Sequence, residues 1–171
     1  DQVYNLEYSH PGLDKFGYII HPIRVARILL SKEKTISSHT IKLALGHNIK
    51  ELVKNYSLQK LKFLDDDLIN DIDLLTVDRD KQWNLNYKKK YYHYIENNKN
   101  AALVKIVDKF DNLYLLNNNP SMRIKKLYLK EISDFVIPLA SKFSPSLVNN
   151  FIFNYNHVNR LFIKDTKKSN V

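Results

Sequence analysis

Apolar and polar positions along this chain recur with a helical period rather than a strand period. Between residues 38 and 54, Ile41, Ala44, Leu45, Ile49, Leu52 and Val53 follow i, i+3, i+4 spacing, which lines one face of a helix. Residues 100–116 are the most apolar stretch and predict a helix with little solvent-facing surface. Residues 1–20 read as a short helix followed by a loop carrying Pro11, Gly12 and Gly17. The next helix is predicted to begin at Pro22, a residue suited to the first helical position. Residues 58–75 read as one or two helices interrupted at Asp65, Asp66 and Asp67, and 76–83 as a loop. Over 84–97 an amphipathic helix is predicted, with Tyr87, Tyr91, Tyr94 and Ile95 inward and Lys88, Lys89 and Lys90 outward. Asn119 and Pro120 signal the start of a helix over 120–143, which Pro138 kinks or ends. Ser144 and Pro145 repeat that signal for a last helix over 145–163, with a frayed tail beyond it. The sum is an all-α bundle of about seven helices in a single domain over residues 1–171.

Composition narrows this picture. Only three glycines are present, Gly12, Gly17 and Gly46, too few for the turns of a β-sandwich or for a Gly-rich phosphate loop. The absence of cysteine excludes disulfides, thiolate metal sites and a cysteine nucleophile, and fits a cytoplasmic protein. No apolar run reaches the length of a membrane span, so no membrane partner is expected. The net charge of +9 favours anionic partners such as nucleotides and phosphorylated metabolites. Nucleic acid is not the expected partner. The Lys and Tyr interleaving of YKKKYYHYIENNK at 87–99 resembles a base-stacking strip, but packing of one helix face explains the tyrosine spacing.

Candidate chemistry concentrates on two helices and one helix start. His47 and Glu51 are four apart and share a face, with Asn48 beside them in an apolar stripe. A core histidine bonded to a backbone carbonyl accounts for His47 alone. Asp108 is flanked by Val104, Val107 and Leu115, where a carboxylate is costly unless a cation meets it. Lys105, Lys109 or a metal would serve. Asn112 follows Asp108 by four residues, and His21 stands just before Pro22. Together, two histidines, a neighbouring oxygen ligand and a late carboxylate suit Mn²⁺, Fe²⁺ or Zn²⁺.

These residues carry a family resemblance. GYIIHPIRVARIL at 17–29 resembles the PYINHP-x-x-VA-x-IL opening of RelA/SpoT-type HD hydrolases, a family that includes small alarmone hydrolases and metazoan SpoT homologs. IKLALGHNIKEL at 41–52 resembles the family's AALLHDxxED motif, and ALVKIVDKFDNL at 102–113 its KLVKLADKLxNL motif. The likeness covers about residues 5–117, and the helices of 120–143 and 145–163 match only in being helical. It implies an HD-domain bundle with His21, His47, Asn48 and Asp108 as ligands of a divalent metal, Mn²⁺ first. It implies that Glu51 and Asn48 act catalytically, Glu51 handling the attacking water. It also implies substrate contacts from Asn112, Tyr18 and Lys15.

Two positions depart from the family pattern. Asn48 replaces the HD aspartate and Leu52 replaces the second acid of the ED pair. An amide oxygen ligates a metal without charge, so metal binding weakens and activity is impaired. Two readings follow. The first is a small, stand-alone metal-dependent phosphohydrolase, removing pyrophosphate from the 3′ position of (p)ppGpp or dephosphorylating a related nucleotide. The second is a catalytically inactive HD fold that binds a nucleotide or a protein.

Overall fold

The computed structural model describes the backbone of residues 15–52, 62 and 64–168, and the side chains of 19–51, 62 and 64–161. Among the described residues, nine α-helical segments appear in the order α1 Lys15–Lys32, α2 Ser38–Gly46, α3 Ile49–Leu52, α4 Asp66–Leu75, α5 Leu85–Glu96, α6 Lys99–Leu115, α7 Met122–Glu131, α8 Ile137–Phe143 and α9 Pro145–Lys168. A two-residue step separates α2 from α3, and a π turn, Ile132–Val136, joins α7 to α8, so the segments group into seven rods. Among the described residues there is no strand, and no helix is long and apolar enough to cross a membrane. The all-α expectation holds.

α6 is the axis of the bundle. Residues 101–108 are buried without interruption, followed by Phe110, Asp111 and Leu113. Helices α1, α2, α4, α5, α8 and α9 all pack on it, which is why it carries apolar residues on every side. Val104, Ile106 and Val107 are fully buried there, each worth about 1.5–3 kcal/mol of transfer free energy. Side-chain caps fix where the surrounding helices begin. Ser37 accepts from the Thr40 amide, Asp65 from Leu68, Asn84 from Tyr87, Asn98 from Ala101 and Ser121 from Ile124. Each such cap contributes about 1 kcal/mol and sets the register of the face behind it.

Several boundaries differ from the sequence expectation, each for a local reason. Pro22 does not start α1. It lies inside the helix, which begins at Lys15. Proline's φ suits a helix, and only the hydrogen bond to the carbonyl four residues earlier is lost. The helix expected over 38–54 breaks at His47 and Asn48. Gly46 sits at the break with Ile72 so close that an added Cβ would meet its Cδ1 at 3.3 Å. Leu45 is exposed rather than inward, and Val53 lies outside the described residues. Asp65 lies outside the helix and caps α4, which begins at Asp66, while 58–61 and 63 of the expected stretch lie outside the described residues. On α5, Tyr92 and Lys88 are buried and Tyr94 is exposed, a rotation of the expected stripe that the Lys88–Glu131 pair accounts for. Pro138 neither ends nor breaks the α7–α8 rod. The π turn precedes it and absorbs the missing amide. The last helix runs on to Lys168.

Candidate metal centre

Three helical elements bring the candidate ligands together. His21 comes from α1, His47 from the C-cap of α2, and Asp108 from the middle of α6. Their ligand atoms all lie within 4.8 Å of one another. Nε2 of His21 is 3.2 Å from Asp108 Oδ1, and Nε2 of His47 is 3.6 Å from the same oxygen. The imidazoles meet edge to face, 5.3 Å between centroids. Gly46 lets α2 stop against Ile72, which leaves His47 at the corner and buried.

The opposite edge of each ring is anchored. His47 Nδ1–H donates to the Ala44 carbonyl at 2.7 Å. His21 Nδ1–H donates to Asp111 Oδ2 at 2.7 Å, and Arg24 grips the same carboxylate through Nε and Nη2, both at 2.8 Å. With Nδ1 carrying the hydrogen, each Nε2 offers a lone pair. Two lone pairs and a carboxylate oxygen therefore face one point, an arrangement that calls for a cation. Among the described residues, these two Nε2 atoms are the buried side-chain nitrogens or oxygens without a hydrogen-bond partner. In histidine metal sites the carbonyl and carboxylate groups that accept from Nδ1–H form the outer shell, the role Ala44 and Asp111 would fill here.

The remaining contacts set the charge of the centre. Asp108 Oδ2 pairs with Lys105 Nζ at 3.0 Å, and Oδ1 accepts from Asn112 Nδ2 at 2.7 Å. Burial pushes the Asp108 carboxyl up, but the Lys105 ammonium and the two histidines outweigh it and hold it well below the usual range. Burial likewise pulls Lys105 down, and Asp108 overrides it and raises it. His21 follows the same logic. Burial lowers it, while the Asp108 and Asp111 carboxylates beside it push it up to about 9.

The residues expected from sequence are distributed unequally. His21, His47 and Asp108 converge, with Asn112 bonded to Asp108. Asn48 follows His47 in the α2–α3 step and is half-buried. The Glu51 carboxylate is held by another partner: its Oε1 accepts from the Val77 amide at 3.0 Å and its Oε2 pairs with Arg79. The side chains of Lys15, Tyr18 and Leu52 lie outside the described residues. The structural alternative holds for each residue, since His47 does meet a carbonyl and Asp108 does meet Lys105, and both also belong to a group that could hold a metal. Sequence reasoning missed Asp111 and Arg24. Each lies three residues past a ligand, on the same helix face, and that spacing was the available signal.

Comparison with known proteins locates the fold. No protein-family model matches the chain, and no curated protein matches it by sequence. A solved structure of a metazoan ortholog of SpoT, described as hydrolysing ppGpp and playing a role in starvation responses, is similar at a TM-score of 0.63. It shares 19% sequence identity, over 85% of this chain and 81% of that one. The chain thus has a SpoT-type helical fold.

Proposed function

We propose that this chain is a metal-dependent phosphohydrolase of a nucleotide, with a (p)ppGpp-type 3′-pyrophosphate as first candidate substrate and the whole chain forming one HD-type domain. One observation carries the proposal: two buried imidazole lone pairs and Asp108 Oδ1 converge with no cation of the protein between them. His21, His47 and Asp108 would hold a divalent ion, Mn²⁺ before Fe²⁺ or Zn²⁺, with the Asn48 amide oxygen as a neutral fourth ligand. A divalent ion in such a site lowers the pKa of water and polarises a phosphoryl group. Lys105 neutralises the outer oxygen of Asp108 and leaves Oδ1 for the ion. Asp111 and Arg24 lock the His21 ring. Glu51 takes the proton of the attacking water, and Asn112, Lys15 and Tyr18 contact the substrate. The SpoT-type fold and the +9 charge support a phosphorylated ligand. The cysteine-free composition fits the cytoplasm we assign to it.

Asn48 is the weak point of the donor set and sharpens the test. Phosphate and pyrophosphate release from a nucleotide panel containing ppGpp, with Mn²⁺ added, is compared between this chain and Asn48→Asp. The carboxylate restores a charged ligand, so Asn48→Asp turns over at least one compound about 100-fold faster than the parent. Two inert proteins that also hold no metal would remove the hydrolase reading. Asn48 and Leu52 then favour the second reading, an inactive HD fold that binds a nucleotide or a protein.

A further inference from the structure

The acid assigned to water handling is not free to rotate. The Glu51 side chain is 4% exposed, and among the described residues its oxygens are held by the Val77 amide on Oε1 and Arg79 Nη2 on Oε2. Both partners come from the 76–84 loop between α4 and α5, outside the three stretches of family resemblance. That loop is itself braced. The Thr76 amide caps α4 on the Ile72 and Asp73 carbonyls, and the Asp78 amide donates to the Tyr87 hydroxyl oxygen at 2.9 Å. The Asp78 carboxylate accepts from the Asp80 amide at 3.1 Å and pairs with Lys81 at 2.7 Å. Arg79 thus reaches the buried carboxylate from a fixed base, although its own side chain is 59% exposed. Such an exposed cation has no packing reason to point inward, so the buried acid is what draws it. Glu51 follows His47 by four residues, and its amide donates to the Asn48 carbonyl at 3.1 Å, which ties it to the α2–α3 step that carries His47.

We propose that Arg79 is a positioning residue for the hydrolysis: together with the Val77 amide it fixes the rotamer of Glu51. Each carboxylate oxygen has two lone pairs, and one on each remains for a water. In the step served, a water O–H bond breaks and its proton goes to Glu51. The water oxygen bonds to phosphorus, and the P–O bond to the leaving oxygen breaks with its electron pair. This inference rests on the hydrolase reading. A general base out of place by about 1 Å costs on the order of 100-fold in rate.

The test is a double-mutant cycle of Arg79→Gln and Glu51→Gln in whichever of the chain and Asn48→Asp turns over a nucleotide, with Arg79→Lys alongside. Arg79→Gln is expected to lower kcat 10- to 100-fold, with KM within about 2-fold and an unchanged melting temperature. Arg79→Lys restores most of kcat, and Arg79→Gln adds nothing once Glu51 is Gln. Additive losses, or a loss in KM alone, would overturn the inference, the latter making Arg79 a substrate contact instead. If the parent is active and its kcat ignores Arg79, this inference fails alone. If both parents are inert on the panel and neither holds metal, the hydrolase reading fails and takes Arg79's role with it.

Discussion

Two clusters of charge lie inside this bundle, equally buried and opposite in character. Around Glu131, at the C-terminal end of α7, every group is satisfied. Oε1 accepts from the Tyr92 hydroxyl at 2.7 Å and meets Lys109 Nζ at 2.9 Å, while Oε2 meets Lys88 Nζ at 2.8 Å. Around Asp108, on the next turn of the same core, two imidazole nitrogens are left without partners. Burial and charge therefore do not by themselves mark a functional site. What separates the two is convergence of lone pairs on a point that no protein donor fills. The first cluster ties α5, α6 and α7 together, and the second is the candidate metal centre.

The contrast is open to direct attack. The largest effect falls on the satisfied cluster. Glu131→Ala leaves Lys88 and Lys109 buried without a counter-charge, and chemical denaturation should show a loss of about 3–5 kcal/mol. The wild type carries the same dependence in pH. Burial pushes the Glu131 carboxyl up, but the two lysines and Tyr92 bring it down to about 2, from an ordinary 4.5. A carboxyl depressed in the fold stabilises above its unfolded value. Its contribution is thus complete above about pH 4.5 and lost as pH falls through about 2. Denaturation of wild type and Glu131→Gln across that window should converge towards the acid end.

A smaller effect tests whether the orphaned nitrogens are aimed. Asp111 touches no ligand atom of the ion and acts only through His21 Nδ1. Asp111→Asn keeps the shape, weakens the anchor and should lower Mn²⁺ affinity about 10- to 100-fold in chelator competition, with little loss of metal-free stability. An unchanged affinity would make Asp111 a structural partner of Arg24 and nothing more.

How much of this was legible in the sequence follows from the range of the interactions. The α6 stripe is local and formed as read; α5 formed rotated, and the helix signalled by Asn119 and Pro120 begins two residues later, at Met122 behind a Ser121 cap. His21, His47 and Asp108 were legible because three short patterns each carried one of them. Asp111 and Arg24 were within reach by i, i+3 spacing. The break at Gly46 was not, because it depends on Ile72 arriving from α4. Nor was the burial of Lys88, which depends on Glu131 about forty residues away. Arg79 left no local signal, since only the folded loop brings it to Glu51. Pairings set by tertiary contact override the propensities that sequence patterns report.

The central claim is that His21, His47 and Asp108 form a metal centre, and its most direct test is the metal stoichiometry of the purified chain after equilibration with Mn²⁺, beside His47→Ala and Glu131→Gln. The expected result is one ion per chain, retained in Glu131→Gln and weakened more than about 100-fold in His47→Ala, because a lost ligand costs more than a lost anchor. No bound ion in the wild type, or one that His47→Ala leaves untouched, would contradict it.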